Sequence, residues 1–155
     1  MKKFRLLLAV LPIIVISACL KDKNCKTKSA DSELPQIQAF AANNGITTIA
    51  HPSGLHYQIL DQGSGSAANA NSKIVITYTG KLMNGAVFDE MLSPNTEGWA
   101  LGGLIRGWII GIPLIQEGGH IKLIVPSSLA YGCEQYYEIP GNSVLYFDIH
   151  LVDVL

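Results

Sequence analysis

The spacing of hydrophobic positions changes several times along the chain, and each change predicts an element. Leu6 to Ile16 is apolar without a period and follows a basic front of Lys2, Lys3 and Arg5. It is shorter than the roughly 20 residues a spanning helix needs. With Ser17 and Ala18 leading up to Cys19, it predicts an export signal over residues 1–18. Residues 19–33 are polar and lysine-bearing and read as a solvated linker. Leu34, Ile37, Phe40 and Ala41 then fall at helical spacing, and Asn44-Gly45 supplies a stop. This predicts an amphipathic helix over 34–43 within an N-terminal extension, residues 34–50, ahead of a main domain, residues 51–155.

From Ile46 the period becomes two. "GLHYQILD", "KIVITYTGKL", "AVFDE", "HIKLIV" and "SVLYFDIHLVDVL" read as strands, with Asn84-Gly85 as a tight hairpin turn. In the last strand Leu145, Phe147, Ile149 and Leu151 share one side. "LGGLIRGWIIGI", Leu101 to Ile112, is apolar yet rich in glycine, and reads as a short helix that Pro113 shortens or kinks. Many strands around one short helix predict an α+β domain with an antiparallel sheet.

Charge narrows the partners. Without residues 1–18 the chain has eight basic and twelve acidic residues, a net of −4, and within 51–155 the balance is four against nine. Nucleic acid, which needs a basic face, is excluded as the expected partner. Beyond Cys19 only Cys25 and Cys133 remain, without metal-type pairing, and four scattered histidines complete no zinc pattern, so no metal site is predicted. Export would permit a Cys25–Cys133 disulfide, but Cys25 lies in a segment that reads as a mobile tether, and the pairing stays open. No GxSxG, Walker or HExxH template occurs.

Two resemblances go further. "ISAC" resembles the lipobox of bacterial lipoproteins, which implies a lipid on Cys19 and membrane attachment. Leu20 after the cysteine, by the same resemblance, points to the outer membrane of a Gram-negative envelope. A simply cleaved signal or an N-terminal membrane anchor remains the alternative. Lys21, Lys23, Lys26 and Lys28 could touch anionic headgroups.

"ITYTGKLMNGAVFDE", "LGGLIRGW", "IKLIVPSSLAYG" and "IPGNSVLYFDIHLVDV" occur in an order and spacing that resemble the FK506-binding-protein family of peptidyl-prolyl isomerases. The resemblance implies a strongly curved antiparallel sheet of about five strands wrapped around a short helix, with the pocket between them. It implies that Trp108 forms the pocket floor and that Phe88, Trp99, Leu104, Ile105, Ile139 and Phe147 bind substrate. By the same resemblance the Ile105 backbone N–H binds a substrate carbonyl, and Tyr78, Asp89 and Tyr131 act as catalytic polar groups. Gly102, Gly103 and Gly107 would suit a close approach of backbone to substrate.

The implied activity is isomerisation of X-Pro bonds in exported polypeptides without a cofactor, with an FK506-like macrolide as a possible ligand. A holdase or assembly factor that keeps the fold without turnover is the alternative. The family pattern is broken at Glu97, at Tyr136 and Tyr137, and at Ile109, Ile110 and Pro113 on the helix. Ile109 and Ile110 would form an exposed apolar spot unless the helix at 34–43 covers it.

Overall fold

The computed structural model describes residues 25–94 and 96–155. The expected signal, Cys19, Lys21 and Lys23 lie outside the described residues. Among the described residues no helix is long and apolar enough to cross a membrane.

The first helix, α1, spans Ala30–Asn43 and so begins four residues earlier than the sequence suggested. Ser29 caps it, its side chain accepting from Ser32 N, while Asp31 and Glu33 sit in the first turn where the helix dipole favours negative charge. Pro35 lies inside the helix rather than at its start, at the cost of one early backbone hydrogen bond. At the other end Gly45, with φ +63°, lets Ile46 N return to Ala41 O at 2.9 Å, closing the helix in a left-handed turn.

Among the described residues seven strands follow: β1 (Ile49–Ala50), β2 (His56–Asp61), β3 (Lys73–Leu82), β4 (Val87–Met91), β5 (Trp99–Ala100), β6 (His120–Val125) and β7 (Leu145–Val154). All pairings are antiparallel, in the order β1-β2-β6-β7-β3-β4, with β5 also on β3. The five longer strands are the five that alternation predicted. Register shifts at Ile59/Asp61, Val75/Ile76 and Gly80/Lys81 mark irregularities of the kind that bend strands and curve a sheet. The β3–β4 hairpin turns through three residues rather than two: Gly85 takes φ +88° and its N–H donates to Leu82 O at 2.9 Å.

On the inner face lie Ile74, Ile76 and Tyr78 of β3, Ile121, Leu123 and Val125 of β6, and Leu145, Phe147, Ile149 and Leu151 of β7. They pack on the second helix, α2 (Arg106–Gly111), which passes at once into a 3-10 turn, Ile112–Leu114, containing Pro113. The glycines of this segment divide the work differently from the expectation. A Cβ on Gly107 would stand 2.4 Å from Val125 Cγ1, and one on Gly111 would stand 2.7 Å from Leu123 Cδ1. Both therefore serve to seat the helix on the sheet. Gly102 abuts the Ala70 carbonyl, and only Gly103 of the predicted three borders the cleft described below.

On the outer face α1 lays Ile37, Phe40 and Ala41, with Ile46 beyond it, against Ile124, Val144 and Tyr146. It is thus on the opposite side of the sheet from α2 and cannot cover Ile109 or Ile110. These are half-buried, and Ile110 packs on the inner core. Buried Glu33 of α1 accepts from Ser127 N at 2.8 Å, in the segment that leads to Tyr131. Ahead of α1 the chain is docked rather than free. Cys25 is disulfide-bonded to Cys133, Lys28 N donates to Asn142 Oδ1 at 2.9 Å, and Asn142 Nδ2 donates to Lys26 O at 3.2 Å.

Candidate functional site

The curvature of the sheet leaves an open cleft between β3, β4, β7 and the start of α2. A cavity of about 280 Å³ is bordered by Tyr78, Phe88, Asp89, Trp99, Gly103, Leu104, Ile105, Trp108, Tyr131, Tyr136 and Phe147. Nine of the ten site residues expected from sequence border it. The tenth, Ile139, lines an adjoining depression with Tyr137 and Glu138, which shares Phe88, Asp89, Tyr131 and Tyr136 with the first.

Local structure explains how residues distant in sequence meet. Tyr78 and Phe147 occupy inward positions on paired strands β3 and β7. Phe88 and Asp89 come from β4, the partner of β3, and Trp99 is carried by two-residue β5. Leu104 and Ile105 end the glycine-containing turn, and the Ile105 carbonyl accepts from Trp108 N at 2.9 Å, starting α2 with the indole turned into the core. Trp108 is 4% exposed and still borders the cavity, as a floor must.

The rings form an edge-to-face box. Tyr78 meets Trp108 with centroids 5.0 Å apart at 81°, Trp108 meets Phe147 at 5.1 Å and 82°, and Phe88 meets Phe147 at 5.7 Å and 89°. Such pairs place a positive ring edge on a negative face and hold each other's orientation. Gly80 is needed for this packing: a Cβ there would stand 2.8 Å from the Phe88 ring. The Trp108 indole N–H is buried and has no hydrogen-bond partner among the described residues.

Two kinds of polar group stand at the rim. The Tyr78 hydroxyl donates to Asp89 Oδ2 at 2.5 Å, so the exposed carboxylate is anchored to the wall. Burial, and then the Asp89 carboxylate, push the Tyr78 hydroxyl above its ordinary pKa. Burial likewise raises Tyr131, with Tyr136 and Asp89 adding to it. Both hydroxyls are therefore protonated donors at neutral pH.

Tyr136 is the lining residue that the expected site omitted. Its ring stacks on Tyr131 at 4.2 Å and 7°, extending the wall outward, and Tyr137 adds an edge contact at 4.8 Å. The signal was present as an unusual pair of tyrosines in the loop, but which one turned inward was not. Glu97, one of the positions where the family pattern is broken, is exposed and does not border the cavity. The arrangement offers an aromatic floor with two tyrosine hydroxyls and a carboxylate at the rim.

Comparison with known proteins agrees with this geometry. Residues 64–152 match the model of the family described as FKBP-type peptidyl-prolyl cis-trans isomerase. The chain is 38% identical over 118 residues to FKBP-type peptidyl-prolyl cis-trans isomerase FkpA of Escherichia coli strain K12, covering 76% of this chain and 43% of that protein. It is 38% identical over 134 residues to the protein of the same name from Buchnera aphidicola (strain APS), covering 86% and 54%. The chain thus spans about half the length of the curated relatives it matches. The crystal structure of Escherichia coli FkpA superposes with a TM-score of 0.71 at 35% identity, covering 81% of this chain and 60% of that one. A peptidyl-prolyl cis-trans isomerase from Pseudomonas syringae superposes at 0.68 and 26% identity, covering 82% and 96%. With its aromatic cleft, its curved sheet and a family match across most of the main domain, the chain belongs to the FKBP-type peptidyl-prolyl cis-trans isomerase family.

Proposed function

We propose that the chain accelerates cis–trans isomerisation of X-Pro bonds in exported polypeptides, tethered to the cell envelope by a lipid on Cys19 and sorted to the outer membrane. The observation that carries the catalytic part is the open cavity floored by the Trp108 indole and walled by Tyr78, Phe88, Trp99 and Phe147. The export-like N-terminus supports the tether.

The chemistry follows from the bond. Partial double-bond character gives a peptide C–N bond a rotation barrier of roughly 18–20 kcal/mol. In the twisted transition state conjugation is lost, the carbonyl is less polar and the nitrogen more basic. A ring-lined cavity accommodates that less charge-separated amide and excludes the water that favours the planar one. Binding the twisted form more tightly than the planar form is what lowers the barrier. X-Pro bonds suit the site because their cis form costs only about 0.5–1 kcal/mol. The Ile105 N–H and the Tyr131 hydroxyl would bind substrate carbonyls, while Asp89, held by Tyr78, would orient the rim. Leu104 and Ile139 would contact flanking side chains. An FK506-like macrolide would compete for the same cavity.

The test is a proline-tetrapeptide isomerisation assay on the full chain. The wild type should exceed the buffer rate. Trp108→Ala should lose at least about tenfold in kcat/KM, corresponding to about 1.4 kcal/mol of transition-state stabilisation. Tyr131→Phe, which keeps the ring, should lose less. A wild-type rate equal to buffer, alongside suppression of client aggregation, would instead indicate a non-catalytic holdase.

A further inference from the structure

We infer a second site, a divalent transition-metal site formed by His120, Asp148 and His150 on the outer face of the sheet, with zinc as the fitting ion. His120 is far in sequence from Asp148 and His150 but adjacent to them in the ladder. His120 opens β6 and pairs in register with His150 of β7, and Asp148 stands two residues before His150. Residues two apart on a strand share a face, as do residues directly opposite on paired strands. Ile121, Ile149 and Leu151 point inward, which places the three polar side chains together outside.

The geometry is that of a partly assembled ligand set. The two imidazoles stack with centroids 3.7 Å apart at 21°. His120 Nε2 lies 2.5 Å from Asp148 Oδ1. One ligand atom from each of the three residues lies within 4.8 Å of the others. Tetrahedral zinc with bonds of about 2.0–2.1 Å holds its ligand atoms about 3.3 Å apart, so closing the set needs the hydrogen-bonded His120–Asp148 pair to lose its shared proton and open slightly, and exposed His150 to rotate toward it. The strands themselves need not move, because the β6–β7 ladder already fixes the three backbones.

The surroundings favour an ion over a bare histidine–carboxylate pair. The Tyr146 hydroxyl donates to Asp148 Oδ2 at 3.1 Å and fixes the carboxylate from behind. Outer-shell bonds of this kind orient metal-binding groups. Thr77, Thr79 and Leu92 complete a shallow depression of about 280 Å³ over the cluster, with room for a water or an external ligand as fourth partner. Two imidazoles and one carboxylate suit zinc, nickel or copper rather than magnesium or calcium. Lys122, opposite Asp148 in the ladder, is the neighbouring cation and adds a repulsion that the carboxylate offsets. An ion here would bridge β6 and β7 and stabilise the fold through binding, without contributing a group to the aromatic cleft.

Calorimetric titration of the full chain, with its disulfide intact, with zinc chloride at pH 7.5 tests this. The expected result is one saturable equivalent, a rise in Tm with added zinc, and weakening of at least tenfold in His120→Ala and in His150→Ala. His51→Ala should bind as the wild type does. At pH 5.0 binding should weaken as protons compete for the imidazoles. Two-dimensional NMR of the histidine rings guards against variants that merely fail to fold: zinc should shift His120 and His150 in the wild type and leave His51 and His56 in place. Absence of saturable binding to the wild type, unmoved His120 and His150 rings, or unchanged affinity in either His120→Ala or His150→Ala would overturn the inference.

Discussion

The two faces of β7 are built from one strand and do different things. Inward, Leu145, Phe147, Ile149 and Leu151 belong to a continuous apolar core that reaches Trp108 and the cleft. Outward, Tyr146 packs with Phe40 of α1 at 5.3 Å, and the strand then turns polar at Asp148 and His150. On the inner face each ring of the box packs edge to face on another, and such mutual orientation is what a cavity of defined shape needs. The outer face is a small satellite cluster under one helix, a buttress with a polar margin. Alternation with a period of two thus lets a strand serve a binding cavity and a structural brace at once.

The sharpest way to break this comparison is to remove one phenylalanine from each face. Phe147→Ala should cost near the top of the usual range of about 3–5 kcal/mol for such truncations and lower kcat/KM more than about tenfold. Phe40→Ala should fall toward the bottom of that range, because Phe40 lies at the rim of its cluster and the site can partly collapse. Its kcat/KM should stay within about twofold of the wild type. Urea unfolding and the tetrapeptide assay on both variants give the result. Equal activity losses would mean that α1 shapes the cleft as well as bracing the sheet.

How far each face could be read from sequence follows the same division. The inner face was legible: alternation in "KIVITYTGKL" and "SVLYFDIHLVDVL" placed β3 and β7, and family motifs placed the rings. Much of the outer face depends on contacts that no local pattern carries. Pro35 hid the true start of α1 because proline is expected near a helix start, and nothing in its amphipathic stripe said which side of the sheet it would cover. His120 and His150 looked scattered because only the β6–β7 register makes them neighbours. Gly102, Gly103 and Gly107 suggest a close approach of backbone to substrate, whereas Gly107 meets Val125 of β6 and only Gly103 borders the cleft. Tyr136 required the loop's own hydrogen bonds, Tyr136 N to Ile139 O and its reciprocal, to be turned toward Tyr131.

A second, smaller effect probes the strap that joins the two regions. The Cys25–Cys133 bond links the segment before α1 to the loop just beyond Tyr131, across 108 residues of chain. Closing so long a loop restricts the unfolded chain, and bridges of this kind typically contribute about 2–4 kcal/mol. Reduction, or Cys25→Ser with Cys133→Ser, should therefore lower Tm and the urea midpoint. Activity should change little, because Gly132 N to Ser127 O at 2.8 Å and Asn142 N to Gly132 O at 2.7 Å still hold the loop. A large fall in kcat/KM on reduction would show that the strap positions Tyr131 and belongs functionally to the inner face.

The smallest effect is expected at alkaline pH, where each face carries a tyrosine with a raised pKa. Tyr78 is raised by burial first and then by Asp89; Tyr146 is raised by burial first and then by Asp148. A neutral phenol that is harder to ionise in the folded chain means that the folded state holds its proton while the unfolded state releases it. The resulting stabilisation is complete below the ordinary tyrosine value of about 10 and is lost as pH rises beyond it, because the unfolded state then gains by ionising. Each such group adds at most about 1.4 kcal/mol of lost stability per pH unit in that window. Urea midpoints measured from pH 9 to 11 should therefore fall, and Tyr146→Phe should flatten the fall without altering kcat/KM at neutral pH. Tyr78→Phe should flatten it too, but with lower kcat/KM, because the same hydroxyl anchors Asp89 at the rim of the cleft. If both variants left the alkaline slope unchanged, the loss would have to come from groups outside the two faces, and the tyrosines would not mark them.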